Sequence, residues 1–158
     1  MRLLIEKIID ILSSNGQTVS FAESCTGGRI AKEFTSVAGV SAILNGSCIT
    51  YSNSIKSLWL GVKEETLRDF GAVSSECVYE MLDGIKQMAS SDYAVAVSGI
   101  AGPDGATEFK PVGTVYIGVL TPKGSIVNLY NFTGDRDEVQ KEATRVAIEN
   151  LLKAVDLR

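Results

Sequence analysis

Histidine is absent from the 158 residues. That gap removes Ser-His-Asp and Cys-His catalysis within one chain, and histidine-ligated metals with them. Cysteine is scarce: Cys25, Cys48 and Cys77 are odd in number and show no C-x-x-C spacing, which argues against a disulfide framework or a structural zinc site and fits a reducing compartment. Apolar runs are short. The N-terminal stretch looks apolar at first, but Glu6, Lys7 and Asp10 interrupt any signal-peptide core, and no other segment approaches the length of a membrane span. An excess of positive charge is missing too. With a net charge of −4 and a pI near 4.9, the chain repels a polyanion at long range, so nucleic acid is not expected as a main partner. A small phosphorylated ligand needs only one or two local cations. Neither G-x-G-x-x-G nor G-x-x-x-x-G-K-[ST] occurs, and Glu23, Asp104 and Glu108 follow no metal-ligand spacing. A soluble, cytoplasmic protein without metal or cofactor is expected.

What is present is enough apolar residue, 45% of the chain, for one domain over residues 1–158 with a proper core. Leu4, Ile5, Ile8, Ile9, Ile11 and Leu12 repeat with helical period up to the stop signal Asn15-Gly16. Residues 18–22 are β-prone, and Ile30, Ala31 and Phe34 then mark a helix ending near Gly39. Residues 45–52 read as a second strand, followed by a helix capped within Ser52-Asn53-Ser54 that carries Lys56, Leu58 and Trp59. A short helix over 64–70 closes at Gly71. Val78, Met81, Leu82, Ile85 and Met88 define a longer amphipathic helix. Residues 93–98 form a continuous apolar run expected of a central strand, leading into the glycine-rich loop 99–105. Residues 113–120 and 126–132 read as a hairpin around 121–125. A last helix starts at Asp135, with Glu138 completing a capping box, and buries Val139, Ala143, Val146, Ala147 and Leu151. Together these predict an α/β fold, a three-layer α/β/α sandwich with a mixed sheet of about five strands, whose glycine loops lie where ligands sit in open sheets.

The best place for chemistry is Ala22-Glu23-Ser24-Cys25-Thr26-Gly27-Gly28, between a strand and a helix. Small hydroxyl and glycine residues let a turn bring backbone N–H groups close to an anion or a developing oxyanion. Ser24 is either a helix cap or a nucleophile. Cys25 is intrinsically the better nucleophile, yet free cysteine is often simply buried, and no histidine can serve as its base. Without histidine the base must be another group, and a lysine serves if burial lowers its pKa. Lys56, close in sequence to Tyr51, is the candidate; the plainer readings are a surface lysine and a packing tyrosine. Arg136 either pairs with a nearby carboxylate or holds a phosphate.

Six ordered blocks carry a resemblance over nearly the whole chain: the 22–28 run, Ile49-Thr50-Tyr51-Ser52-Asn53, Gly71-Ala72-Val73-Ser74, Ser98-Gly99-Ile100-Ala101-Gly102-Pro103, Lys110-Pro111-Val112-Gly113-Thr114-Val115 and Gly134-Asp135-Arg136-Asp137. Together they closely resemble the CinA C-terminal domain family, which includes stand-alone nicotinamide-nucleotide amidases. The resemblance implies hydrolysis of the carboxamide of nicotinamide mononucleotide to nicotinic acid mononucleotide and ammonia, in pyridine-nucleotide salvage. It implies Ser24 as nucleophile and Tyr51 and Lys56 as proton-handling partners, with Lys56 acting directly or through Tyr51. It places the nucleotide against Thr26, Gly27, Gly28, Gly99, Gly102 and Arg136, in a chain that is commonly oligomeric. The alternative is a noncatalytic nucleotide-binding or regulatory module. The chain departs from the family's usual glycine pair after Gly105, where Ala106 adds a Cβ that restricts φ.

Overall fold

The computed structural model describes residues 1–157 of the chain. Five strands form one sheet in the order β2-β1-β3-β4-β5, with β1 Val19–Glu23, β2 Leu44–Ile49, β3 Tyr93–Gly99, β4 Thr114–Thr121 and β5 Gly124–Asn131. The first three strands are parallel, and β4 and β5 run antiparallel to their neighbours. The helices are α1 Arg2–Ser14, α2 Arg29–Thr35, α3 Asn53–Leu60, α4 Glu64–Asp69, α5 Ser75–Ala89 and α6 Arg136–Asp156, with a short 3₁₀ turn at Val40–Ala42.

Alternation along the central strands sorts the helices into two layers, because successive side chains of a strand point to opposite faces. Phe21, Val95, Val97, Ile117 and Val119 join α1, α2 and α6 in one core, while Ala22, Ala94 and Ala96 meet α3 and α5 in the other. The alanines give the second face little depth, so α5 lies close and fills the space with Met81, Leu82 and Ile85. The expected three-layer α/β/α sandwich is the observed one.

Local differences have local causes. The hairpin loop is only Pro122-Lys123, because Thr121 still pairs with Gly124. Helix α2 stops at Thr35, well before Gly39. In α3 the buried residues are Lys56 and Leu60, whereas Leu58 and Trp59 face outward at 76% and 50% exposure. Met88 likewise lies outside the core although it continues the apolar spacing of α5.

Strand order places the site. From β1 the chain moves to β2 on one side, while β3 lies on the other, so the segments leaving β1 and β3 diverge above the sheet and open a crevice between them. Ser24 follows β1 and the 99–105 loop follows β3.

Candidate active site

A cavity of about 290 Å³ occupies this crevice. Ser24, Lys56, Ser98 and Arg136 contribute polar groups to its wall, and Ala72, Val73 and Ile100 supply apolar surface. Each comes from a different sheet edge or helix start. The Ser24 N–H donates to the Val97 carbonyl at 3.1 Å, and the Thr50 N–H donates to the Glu23 carbonyl at 2.9 Å, so the ends of β1, β2 and β3 are laced together where the site begins.

Lys56 is 1% exposed. It sits in α3, whose N-cap Ser52 accepts from the Ile55 N–H, and its side chain runs inward rather than out to solvent. Its Nζ lies 3.1 Å from Ser24 Oγ, 2.8 Å from the Thr50 carbonyl oxygen and 3.2 Å from the Tyr51 carbonyl oxygen. A neutral amine has two N–H bonds and one lone pair. With both N–H bonds given to the two carbonyls, the lone pair is left for the Ser24 hydroxyl proton. No carboxylate forms an ion pair with Lys56 among the described residues, and burial lowers its pKa below the ordinary 10.5, against a smaller opposing effect of the Cys77 and Cys25 thiols. The lysine expected as base is therefore buried and in contact with the serine hydroxyl.

Tyr51 lines the same cavity, with its hydroxyl turned to Arg136. Its carbonyl holds Lys56, but its ring is 61% exposed and its hydroxyl accepts from Arg136 Nη2 at 2.8 Å. Of the two expected routes, direct or through Tyr51, the contact present is the direct one between Lys56 Nζ and Ser24 Oγ. Arg136 also donates from Nη1 to the Gly102 carbonyl at 2.6 Å, which ties the glycine loop to the start of α6. Gly99 and Gly102 line the cavity, and Gly102 is required there twice over: its φ is +82°, and a Cβ would stand 2.6 Å from Val112 Cγ1. Ala106 adopts no positive φ, so its methyl group is accommodated in ordinary backbone.

Thr26, Gly27 and Gly28, expected against the nucleotide, are not among the residues lining this cavity, and the turn uses several of their polar groups itself. Thr26 Oγ1 donates to Glu23 at 2.7 Å, the Gly28 N–H donates to the same carboxylate at 3.0 Å, and the Gly27 N–H donates to the Ser24 carbonyl at 3.0 Å. Glu23, fully buried, also accepts from the N–H groups of Ile30 and Ala31 at 3.1 and 2.9 Å. An internal carboxylate thus takes the place at the start of α2 that an anionic ligand was expected to occupy. Gly28 permits the turn with a φ of +92°. Sequence reasoning weighed Glu23 only as a metal ligand; its position just before a glycine turn was the available sign of a cap. Removing it strands several buried donors, each worth about 1–3 kcal/mol. Glu23→Ala is expected to cost about 3 kcal/mol or more in urea unfolding, most of it by leaving those N–H groups unpaired.

Cys25 is 4% exposed, and burial pushes its thiol up to about 12, outweighing the lowering by its own backbone N–H, Lys56 and Arg136. A thiol held there is not a nucleophile near neutral pH. Gln140, which sequence reasoning missed, donates from Nε2 to the Cys25 carbonyl at 2.7 Å.

Comparison with known proteins agrees with this fold. The model of the CinA C-terminal domain matches residues 2–155. Nicotinamide-nucleotide amidohydrolase PncC of Escherichia coli K12 is 48% identical over 149 residues, covering 94% of this chain and 90% of that protein. A CinA-like protein of Fervidobacterium nodosum is 49% identical over 148 residues, but there the match to 94% of this chain spans only 36% of the longer relative. Among solved structures, the competence damage-inducible protein A of Klebsiella pneumoniae MGH 78578 superposes with a TM-score of 0.95 at 34% identity, covering 99% and 97% of the two chains. Sequence and fold converge: the chain belongs to the CinA C-terminal domain family.

Proposed function

We propose that the chain hydrolyses the carboxamide of nicotinamide mononucleotide, releasing ammonia and nicotinic acid mononucleotide as a step of pyridine-nucleotide salvage, with Ser24 as nucleophile. The observation that carries this reading is the contact of buried, uncompensated Lys56 with Ser24 Oγ at 3.1 Å. The likeness to the amidohydrolase PncC supports the choice of substrate.

Amide hydrolysis needs an activated nucleophile and a proton for the leaving nitrogen. Neutral Lys56 takes the hydroxyl proton as Ser24 Oγ bonds to the carboxamide carbon. The resulting ammonium then gives that proton to the amide nitrogen as the C–N bond breaks and ammonia leaves. Water, deprotonated by the same amine, attacks the acyl-serine; the amine returns that proton to Ser24 Oγ as the ester C–O bond breaks, and the carboxylic acid departs and ionises in water. The apolar wall of Ala72, Val73 and Ile100 suits the pyridine ring, and Arg136 is the cation for the phosphate.

Purified protein incubated with nicotinamide mononucleotide is expected to release ammonia and nicotinic acid mononucleotide in equal amounts. Tight nucleotide binding without turnover would instead establish the noncatalytic module. Arg136→Ala is expected to raise KM about tenfold to a hundredfold, the worth of one charge-assisted contact, with a smaller change in kcat. Steady-state kinetics with the nucleotide and with its dephosphorylated riboside check this, because the variant should lose the preference for the phosphorylated form.

A further inference from the structure

Substrate and product of the proposed reaction differ at one atom: where the carboxamide carries an N–H₂ donor, the carboxylate carries a second acceptor oxygen. A hydroxyl free to give or accept serves either. One whose own proton is committed elsewhere can only accept, and it tells the two apart.

Ser98 is such a group. It lines the cavity and is 1% exposed. Its Oγ donates to the Ala72 carbonyl at 2.7 Å, which commits its one proton, and no N–H or hydroxyl among the described residues donates to that oxygen. A serine hydroxyl has two acceptor lone pairs, and both are left for a ligand.

Register brings Ser98 beside the nucleophile. Glu23 pairs with Val97 across β1 and β3, and the Ser24 N–H continues that ladder to the Val97 carbonyl, so Ser24 and Ser98 leave adjacent parallel strands side by side. Residues two apart on a strand share a face. Ser98 follows Ala94 and Ala96, which meet α3 and α5, and the contact of Ser24 Oγ with Lys56 of α3 puts that hydroxyl on the same face. The Ala72 carbonyl, in the segment leading into α5, draws Ser98 Oγ the same way. Nucleophile, base and acceptor stand together over one face of the sheet.

We infer that Ser98 Oγ accepts an N–H of the substrate carboxamide and is the residue that makes the site prefer the amide to the acid formed from it. This rests on the reading of Ser24 as a nucleophile acting on a carboxamide. While the amide is bound, Ser98 holds one N–H of the nitrogen that will leave. Once ammonia has gone and the acid has ionised, two acceptor oxygens meet an oxygen with no proton to offer. The product leaves instead of blocking the site.

The test measures, by titration calorimetry, binding of nicotinamide mononucleotide and of nicotinic acid mononucleotide to Ser24→Ala, the background expected to be inactive, and to that variant with Ser98→Ala, Ser98→Cys or Ser98→Thr added. The cysteine fills the position with a weak acceptor, so it remains informative if the alanine variant folds poorly. Titrations above the lowered pKa of Lys56 keep its amine neutral, so that no ammonium draws the carboxylate. The preference for amide over acid is expected to fall about tenfold to a hundredfold in the alanine and cysteine variants, through weaker amide binding with acid binding unchanged or tighter, and to return in the threonine variant, which keeps the hydroxyl. With Ser24 intact, Ser98→Ala should lower kcat/KM about tenfold while product inhibition does not weaken. Equal weakening of both ligands, the mark of a residue that only holds the 71–74 segment, overturns the assignment. So does a preference that stays put in the alanine and cysteine variants, or one lost as fully with threonine as with alanine. If Ser24→Ala still releases ammonia at the full rate, the reading beneath falls as well; if it is inactive and the preference does not move, only the assignment of Ser98 falls.

Discussion

Ser24→Ala is expected to abolish ammonia release from nicotinamide mononucleotide, lowering kcat by a factor on the order of 10⁴ or more, because Ser24 is the cavity hydroxyl in contact with Lys56, whereas that of Ser98 is given to the Ala72 carbonyl. Cys25 is the neighbour that has to be eliminated as the attacking group. Its thiol is held up to about 12 by burial, and its carbonyl rather than its sulfur is tied into the site. Cys25→Ala should therefore retain activity within about tenfold, the residual loss reflecting packing of a side chain that is 4% exposed. Measuring both variants in one ammonia assay, with thermal melts to confirm folding, separates the two residues. Activity that survives in Ser24→Ala and disappears in Cys25→Ala would reverse the assignment.

The second large effect belongs to Lys56. Lys56→Met keeps a flexible chain of similar length in the buried channel but removes the base, and the expected loss is about 10²–10⁴ in kcat. The pH profile carries more information than the loss. Burial lowers the Lys56 pKa below the ordinary 10.5, and only the neutral amine accepts the serine proton. In wild type, kcat/KM should rise with pH as the neutral fraction grows, then level off above the lowered pKa. The residual activity of Lys56→Met should lack that limb. Stability follows the same titration with a definite sign. Between the lowered pKa and 10.5 the unfolded chain binds a proton that the folded chain does not, so the contribution of Lys56 to stability rises with pH across that window and is at its least favourable below it. Melting curves of wild type and Lys56→Met should accordingly shift relative to each other in favour of wild type as the pH climbs toward 10.5. Parallel pH dependence in the two proteins would mean that Lys56 keeps its ordinary titration.

How much of this was legible in the sequence depends on how local each cause is. The long amphipathic helices α5 and α6, the buried run of β3 and the Asp135–Glu138 capping box were readable because periodicity and capping act within a few residues. Ser24 was readable from its glycine turn, and the six ordered blocks pointed to the family. Lys56 emerged by elimination, since a chain without histidine still needs a base, but nothing in α3 announced that this lysine faces inward while Leu58 and Trp59 face out. Its direction is set by what covers β2 and by the carbonyls waiting beneath. Gln140 was invisible because its partner is 115 residues away in the chain. The internal bonds of Thr26 to Gly28 were hidden for a related reason: which N–H groups remain for a ligand depends on how tightly Glu23 folds back on the turn, and that is a property of the closed structure.

The placement of β2 has a consequence for how the protein fails. Of the two carbonyls that hold the Lys56 amine, one belongs to Thr50 and the other to Tyr51, both in the segment that leaves β2. That strand lies at the border of the sheet, bonded to β1 alone, and its residues alternate between partly covered and exposed. Strands at a border open at lower free energy than those in the middle. Fraying there would let the amine swing into water and regain its proton while α1, α5, α6 and the central strands stayed folded. Catalytic competence is thus expected to depend on one of the two border strands of the sheet, and warming or mild denaturant should lower activity before the central strands unfold.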